Sequence, residues 1–147
     1  SGNSKWAFEL HDFKGLHSIL KPAVERLKSE GYPIVCRFAD RQERMIAHEA
    51  MVDYYAEIDL YVCPSAIEGT PNPVLESMAC GVPVISTDVG IVRDAFGPLQ
   101  QEFVLAERSV DALAESIRRL FREPPLLDRL SDENRARIRS WDWCYRA

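Results

Sequence analysis

Apolar residues at positions 16, 19, 20, 23, 24 and 27 of "GLHSILKPAVERLKSEG" recur with the period of an α-helix. They predict a helix that ends at Gly31, with Pro22 either kinking it or opening a fresh turn. "PIVCRFA" (33–39) is short and β-branched and predicts a strand; "HEAMVDYYAEI" (48–58) predicts a helix. "DLYVCPS" (59–65) is a continuous apolar run stopped by Pro64, the pattern of a strand buried on both faces. "NPVLESMACG" carries helix start and stop signals: Asn72 as N-cap, Pro73 at the first helical position and Gly81 at the end. Its expected buried face is Val74, Leu75, Met78 and Ala79. "VPVIST" (82–87) reads as a buried strand, "GIVRDAFG" (90–97) as a short helix or a turn, and "EFVLA" (102–106) as a strand. "SVDALAESIRRLFRE" is strongly amphipathic with Ser109 as N-cap, and a last helix follows the Pro124-Pro125 break. "WAFELHDF" (6–13) fits strand or loop.

Strands alternating with helices predict βαβ units: an α/β fold with a Rossmann-like parallel sheet and helices on both faces. The length of 147 residues suits a single domain over 1–147. The first strand of a complete α/β unit is missing at the N-terminus, which predicts a piece of a longer chain. Apolar residues make up 46% and charged residues 28%, a globular balance. No apolar run approaches the roughly 20 residues of a membrane span, and no signal peptide is visible. A net charge of −5 argues against nucleic acid as a partner. The arginines of "RRLFREPP" and "ENRARIRSW" read as helix faces with mixed-sign pairs. Cys36, Cys63, Cys80 and Cys144 form no CxxC pair, and no histidine stands at ligand spacing, so the expectation is no metal site and a reducing, cytoplasmic setting.

The candidate chemistry lies after the strand at 59–65. Open α/β sheets bind ligands at the carboxyl ends of their strands, and residues 65–72 fall on that edge. There Glu68 and Glu76 flank Gly69-Thr70-Pro71-Asn72-Pro73. The N-terminus of the following helix offers free N–H groups and partial positive charge, and Gly69 permits close backbone approach, so the turn suits a phosphate. A carboxylate aimed at that phosphate would be repelled by about 4 kcal/mol at 4 Å and an effective dielectric of 20. Each glutamate is expected instead to accept hydrogen bonds from neutral hydroxyls, worth about 1.5–3 kcal/mol apiece. A diphosphate with a hydroxyl-bearing sugar at each end satisfies every part of the loop, and a nucleotide-sugar is such a ligand. Either glutamate alone has a plainer explanation: Glu76 sits in a first helical turn, where the dipole favours it, and Glu68 in an exposed loop. The pair around one turn points to a ligand. Thr87 and Asp88, at the next strand end, fit a structural or a cleft-lining role.

"YYAEIDLYVCPSAIEGTPNPVLESMACGVPVISTDVG" (54–90) resembles the signature of the retaining glycosyltransferases of family 4, the glycosyl transferases group 1 family. The hallmark of Glu, seven residues, Glu is matched by Glu68 and Glu76. Pro64-Ser65, Glu68-Gly69, Asn72-Pro73 and Ala79-Cys80-Gly81-Val82-Pro83-Val84 match its flanking pattern. Weaker similarity runs from about residue 2 to 146 and includes Lys14-Gly15 and "SWDW" at 140–143. The resemblance implies a GT-B architecture in which this chain is the C-terminal, donor-binding domain, inactive in isolation. It implies that Glu68 contacts the donor sugar as the catalytic residue and that Glu76 binds the ribose. The backbone of Gly69, Thr70, Asn72, Pro73 and Val74 would contact sugar and diphosphate, and Lys14 the diphosphate. It further implies transfer with retention, no metal, and no cofactor beyond the nucleotide-sugar substrate. The implied partners are an N-terminal domain of the same protein and a glycan or lipid-linked acceptor, in polysaccharide biosynthesis, peripheral to the inner membrane. The chain departs from the pattern in three places. The family's Arg before the Lys-Gly pair is absent, leaving Lys5 as the cation available for the diphosphate. Gly-Gly becomes Gly90-Ile91, and the acidic residue after it is Asp94 rather than Glu. The donor's sugar and base therefore stay unassigned. A sugar-nucleotide-binding module of the same fold without catalysis is the alternative; a dinucleotide-dependent oxidoreductase would need a GxGxxG after a strand.

Overall fold

A computed structural model describes residues 12–37 and 50–141. Its centre is a parallel sheet of three strands in the order β1 (Tyr61–Cys63), β2 (Val84–Thr87), β3 (Val104–Leu105). Tyr61, Val62 and Cys63 stand opposite Val84, Ile85 and Ser86, while Ser86 and Thr87 stand opposite Val104 and Leu105. Successive strand residues face opposite sides, and the two cores divide by that alternation. Val62, Ile85 and Leu105 join one cluster, and Tyr61, Cys63, Val84 and Val104 join the other.

Among the described residues six α-helices surround the sheet: α1 (Lys21–Ser29), α2 (Met51–Ala56), α3 (Asn72–Ala79), α4 (Val92–Ala95), α5 (Val110–Arg122) and α6 (Pro125–Arg139). Ala23 and Leu27 of α1 and Leu113, Ala114, Ile117 and Leu120 of α5 fill the first core. Val74 and Met78 of α3 and Val92 and Ala95 of α4 fill the second. Helix α6 serves both, with Leu126 and Leu130 in the first and Ile138 against the second. The parallel α/β fold with helices on both faces is therefore the one the alternation predicts. Ser109 caps α5 as expected, its Oγ accepting from Ala112 N–H at 3.1 Å. Among the described residues no helix is long and apolar enough to cross a membrane.

Three local expectations are corrected, and the reading of Pro22 as opening a fresh turn is borne out. Residues 33–37 form no strand: the Ile34 N–H turns back to Tyr32 O at 3.0 Å, so the chain curls instead of pairing. Upstream of α1, Leu16–Leu20 is a π-helical turn, and Pro22 lies in the first turn of α1. Pro22 has no N–H to continue a regular ladder, and the N–H groups of Leu20 and Lys21 reach five residues back, to Gly15 O and Leu16 O. Asn72 is the first residue of α3 rather than its N-cap. The cap position falls on Pro71, whose carbonyl accepts from Val74 N–H at 2.9 Å. In α3 the buried face includes Ser77, whose Oγ donates to Pro73 O at 2.6 Å, while Ala79 is exposed and Leu75 half-buried.

Candidate functional site

The carboxyl ends of β1 and β2 are tied together before the loop begins. Thr87 at the end of β2 donates its hydroxyl to Ser65 O at 2.6 Å, with Cys63 O a second acceptor at 3.3 Å. Thr87 is thus a buried strut, whereas the neighbouring Asp88 lies at the surface paired with Arg93 at 2.6 Å. Ser65 in turn donates its hydroxyl to Glu68 Oε1 at 2.8 Å. The same carboxylate oxygen meets Lys14 Nζ, which the sequence places 54 positions away. The Glu68 side chain is 18% exposed and that of Lys14 42%, so the lysine is the more accessible member of the pair.

Gly90 supports this loop from the next strand end. Its φ is +53°, and a Cβ there would lie 1.9 Å from Gly69 O and 2.9 Å from Glu68 O. Backbone therefore packs on backbone at this point, which only glycine allows. Of the Gly-Gly pair expected at this position, the glycine that makes the contact is the one retained.

Across the turn, Glu76 accepts from the Tyr55 hydroxyl at 2.8 Å. Tyr55 is only 2% exposed. Burial first, and then the bond to Glu76, push its phenol well above the ordinary range, so it stays a donor. Tyr55 packs towards the sheet, with its ring centroid 6.4 Å from that of Tyr61, edge to face. The link to Glu76 is not legible in the sequence, where the two stand 21 positions apart on different helices. Gly69, Thr70 and Asn72 are exposed, Pro73 is half-buried, and the Val74 side chain lies in the second core, so Val74 offers a ligand its backbone alone.

The amide groups of the first turn of α3 are engaged locally. Asn72 N–H donates to Thr70 O at 2.9 Å, and Val74 N–H and Leu75 N–H donate to Pro71 O at 2.9 and 3.4 Å. Pro73 has none. The free amides expected at 72–75 are therefore turned onto neighbouring carbonyls by the tight bend at Pro71, where ψ is 78°. Lys5 lies outside the described residues. Among those described, no group of three or more His, Cys, Asp or Glu side chains is placed to hold a metal ion.

Asp12 is a site-supporting residue that the sequence reading missed. Its carboxylate accepts from the N–H groups of Leu16, His17 and Ser18 at 3.2, 2.8 and 2.7 Å, capping the turn that follows Lys14-Gly15. An aspartate three residues before a glycine and just ahead of a helical pattern is the available signal. Burial raises its pKa, but the bonds from Ser18, His17 and Leu16 outweigh that and hold it below the ordinary 3.8. A depressed folded-state pKa gives stability that is present above the unfolded value and lost as pH falls through the folded one. Asp12→Ala should therefore cost about 1 kcal/mol near neutral pH. Thermal melts of the two proteins should converge as the pH is taken below 3.8 and on through the lower folded-state value. A difference that persists at strongly acid pH would disprove the cap.

Comparison with known proteins bears on the family and the fold. The family model for glycosyl transferases group 1 matches residues 43–137. TuaC of Bacillus subtilis (strain 168), whose name links it to teichuronic acid biosynthesis as a glycosyltransferase, is 39% identical over 98 residues, 67% of this chain and 23% of that protein. The lipopolysaccharide core biosynthesis mannosyltransferase LpsB of Rhizobium meliloti (strain 1021) is 32% identical over 101 residues, 67% of this chain and 29% of that one. Among solved structures, the sucrose-phosphate synthase of Thermosynechococcus elongatus superposes with a TM-score of 0.62 at 27% identity, over 82% of this chain and 30% of its own. The chain thus spans between a fifth and a third of the length of these three proteins. With the family model covering residues 43–137 and a parallel α/β sheet beneath the loop at 65–73, the chain belongs to the glycosyl transferases group 1 family.

Proposed function

We propose that this chain is the donor-binding half of a retaining, metal-independent glycosyltransferase whose substrate is a nucleotide-diphosphate-sugar. The reading rests chiefly on the meeting of Lys14 with Glu68 at the carboxyl edge of the sheet, with Glu76 beyond the same turn. A cation beside a carboxylate suits a ligand that is anionic at one point and hydroxylated at the next. Lys14 takes the diphosphate, Glu68 a hydroxyl of the transferred sugar, and Glu76 the ribose hydroxyls. Lys5 is a second diphosphate contact. Gly69 and Thr70 present exposed backbone to the ligand; Asn72 and Val74 do so by giving up the carbonyls of Thr70 and Pro71. Pro73 fixes the start of α3, whose dipole adds partial positive charge at this end.

Breaking the bond between the anomeric carbon and the diphosphate oxygen leaves positive charge on the ring and negative charge on the departing phosphate. Groups fixed in advance against those charges lower the barrier. Lys14 stabilises the leaving group, and Glu68 faces the developing cation. Retention follows if the acceptor hydroxyl attacks the face the diphosphate leaves and passes its proton to a departing phosphate oxygen. A product of inverted configuration would overturn that step. The acceptor contacts belong to a further domain of the same protein, and glycan or lipid-linked acceptors in polysaccharide synthesis fit the relatives' names.

Calorimetric titration with UDP-, GDP- and ADP-sugars tests the binding half. One base should bind best, and Lys14→Ala should weaken it about tenfold, equivalent to 1.4 kcal/mol. Binding unchanged by Lys14→Ala and Glu76→Ala together would sink the assignment. Full transfer activity after Glu68→Ala in the longer enzyme would favour a binding module without catalysis.

A further inference from the structure

We infer that Arg108 is a positioning residue of this donor site: its guanidinium clamps the loop carrying Lys14 onto the strand end carrying Glu68. The inference rests on the proposed donor site and deepens it. Arg108 lies between β3 and α5, far in sequence from both partners. Its Nε donates to Pro64 O at 2.9 Å and its Nη2 to Asp12 O at 2.6 Å. One carbonyl is a residue before Ser65, the other two residues before Lys14.

The two segments so joined touch at a second point, where Ala66 N–H donates to Phe13 O at 2.7 Å. Between those links Gly15 lies against Pro64. Its φ is +71°, and a Cβ there would sit 2.4 Å from Pro64 O and 3.1 Å from Arg108 Nη2. Lysine at 14 and glycine at 15 therefore divide the work: glycine admits the clamp, and lysine reaches past it to Glu68. A planar guanidinium with donors in two directions suits carbonyls on two separate loops. A single ammonium on a flexible stem does not hold both in a fixed geometry. The clamp touches no ligand; it sets the distance between a cation and a carboxylate that must be shared with one.

The test uses Arg108→Ala, Arg108→Lys, Lys14→Ala and the Arg108→Ala/Lys14→Ala double variant, with inorganic pyrophosphate, UDP, GDP and ADP as probes. Amide exchange of Ala66 should rise at least about tenfold in Arg108→Ala while the amides of α5 keep their protection. Affinity for the best-bound probe should fall about tenfold in Arg108→Ala and nearly as far in Arg108→Lys, and the double variant should bind no more weakly than Lys14→Ala. A residue that only stabilises the fold would instead give additive losses. Additive losses, unchanged affinity or unchanged Ala66 exchange each overturn the inference. If the unaltered chain takes none of the probes, the donor-site reading fails, and Ala66 exchange alone then decides whether the clamp exists.

Discussion

Gln100→Ala is expected to lower the free energy of unfolding by about 3–5 kcal/mol, a large share of the stability of a domain this size. Strand β3 is only two residues long and pairs no further along β2 than Ser86. That leaves the inward edge of Val84 without a backbone partner. Gln100 supplies one: its Oε1 accepts from Val84 N–H at 3.2 Å, and its Nε2 donates to Val84 O. A side-chain carboxamide thus takes the place of the missing peptide unit. Asn134 of α6 donates to the same Oε1 at 2.8 Å and to Val82 O at 3.1 Å. The backbone beneath is fixed by Glu133, whose carboxylate accepts from the N–H groups of Leu99 and Gln100 at 2.9 and 2.7 Å. Alanine leaves the Val84 N–H and C=O unpaired in a fully buried setting and strips a bond from Asn134, at about 1–3 kcal/mol per orphaned group. Urea denaturation measures the loss. A cost under about 1 kcal/mol would mean that water fills the gap and the rung is dispensable.

Gly90→Ala should cost about 2–5 kcal/mol and, unlike the change at Gln100, should also disable the site. A non-glycine residue at φ +53° adds about 1–2 kcal/mol. A methyl group 1.9 Å from Gly69 O cannot be accommodated without moving the loop, and overpacking of this kind costs about 1–3 kcal/mol more. The displaced segment carries Glu68, so its meeting with Lys14 and Ser65 is lost with it. Nucleotide-sugar affinity should fall at least about tenfold at a temperature where the variant is still folded. Wild-type affinity in a folded Gly90→Ala protein would show that the loop's position does not set binding.

The sequence made some of this arrangement legible, and the illegible parts have a common cause. Runs such as "DLYVC" and "VPVIST" announced β1 and β2 because burial on both faces demands apolar residues throughout. Ser109 announced α5 because a cap acts locally. Lys14-Gly15 and the Glu68–Glu76 spacing were visible because each is a short motif. The tertiary pairs were not: Tyr55 with Glu76, Lys14 with Glu68 and Gln100 with Val84 join residues 21, 54 and 16 positions apart, and no local periodicity encodes them. Residues 33–37 have strand composition, but a strand needs a partner, and here Ile34 bonds back to Tyr32. Asn72 has the right chemistry for an N-cap, yet the bend at Pro71 starts the helix one residue early.

Helix α6 has a bearing on how such domains can be exchanged among relatives. Because its first half walls one core and its last turn the other, a crossover placed anywhere between Pro125 and Ile138 would graft half of a foreign wall onto each face of the sheet. Chimeras that keep this segment and its sheet from one parent preserve both interiors, so breakpoints placed outside it are the ones expected to give folded proteins.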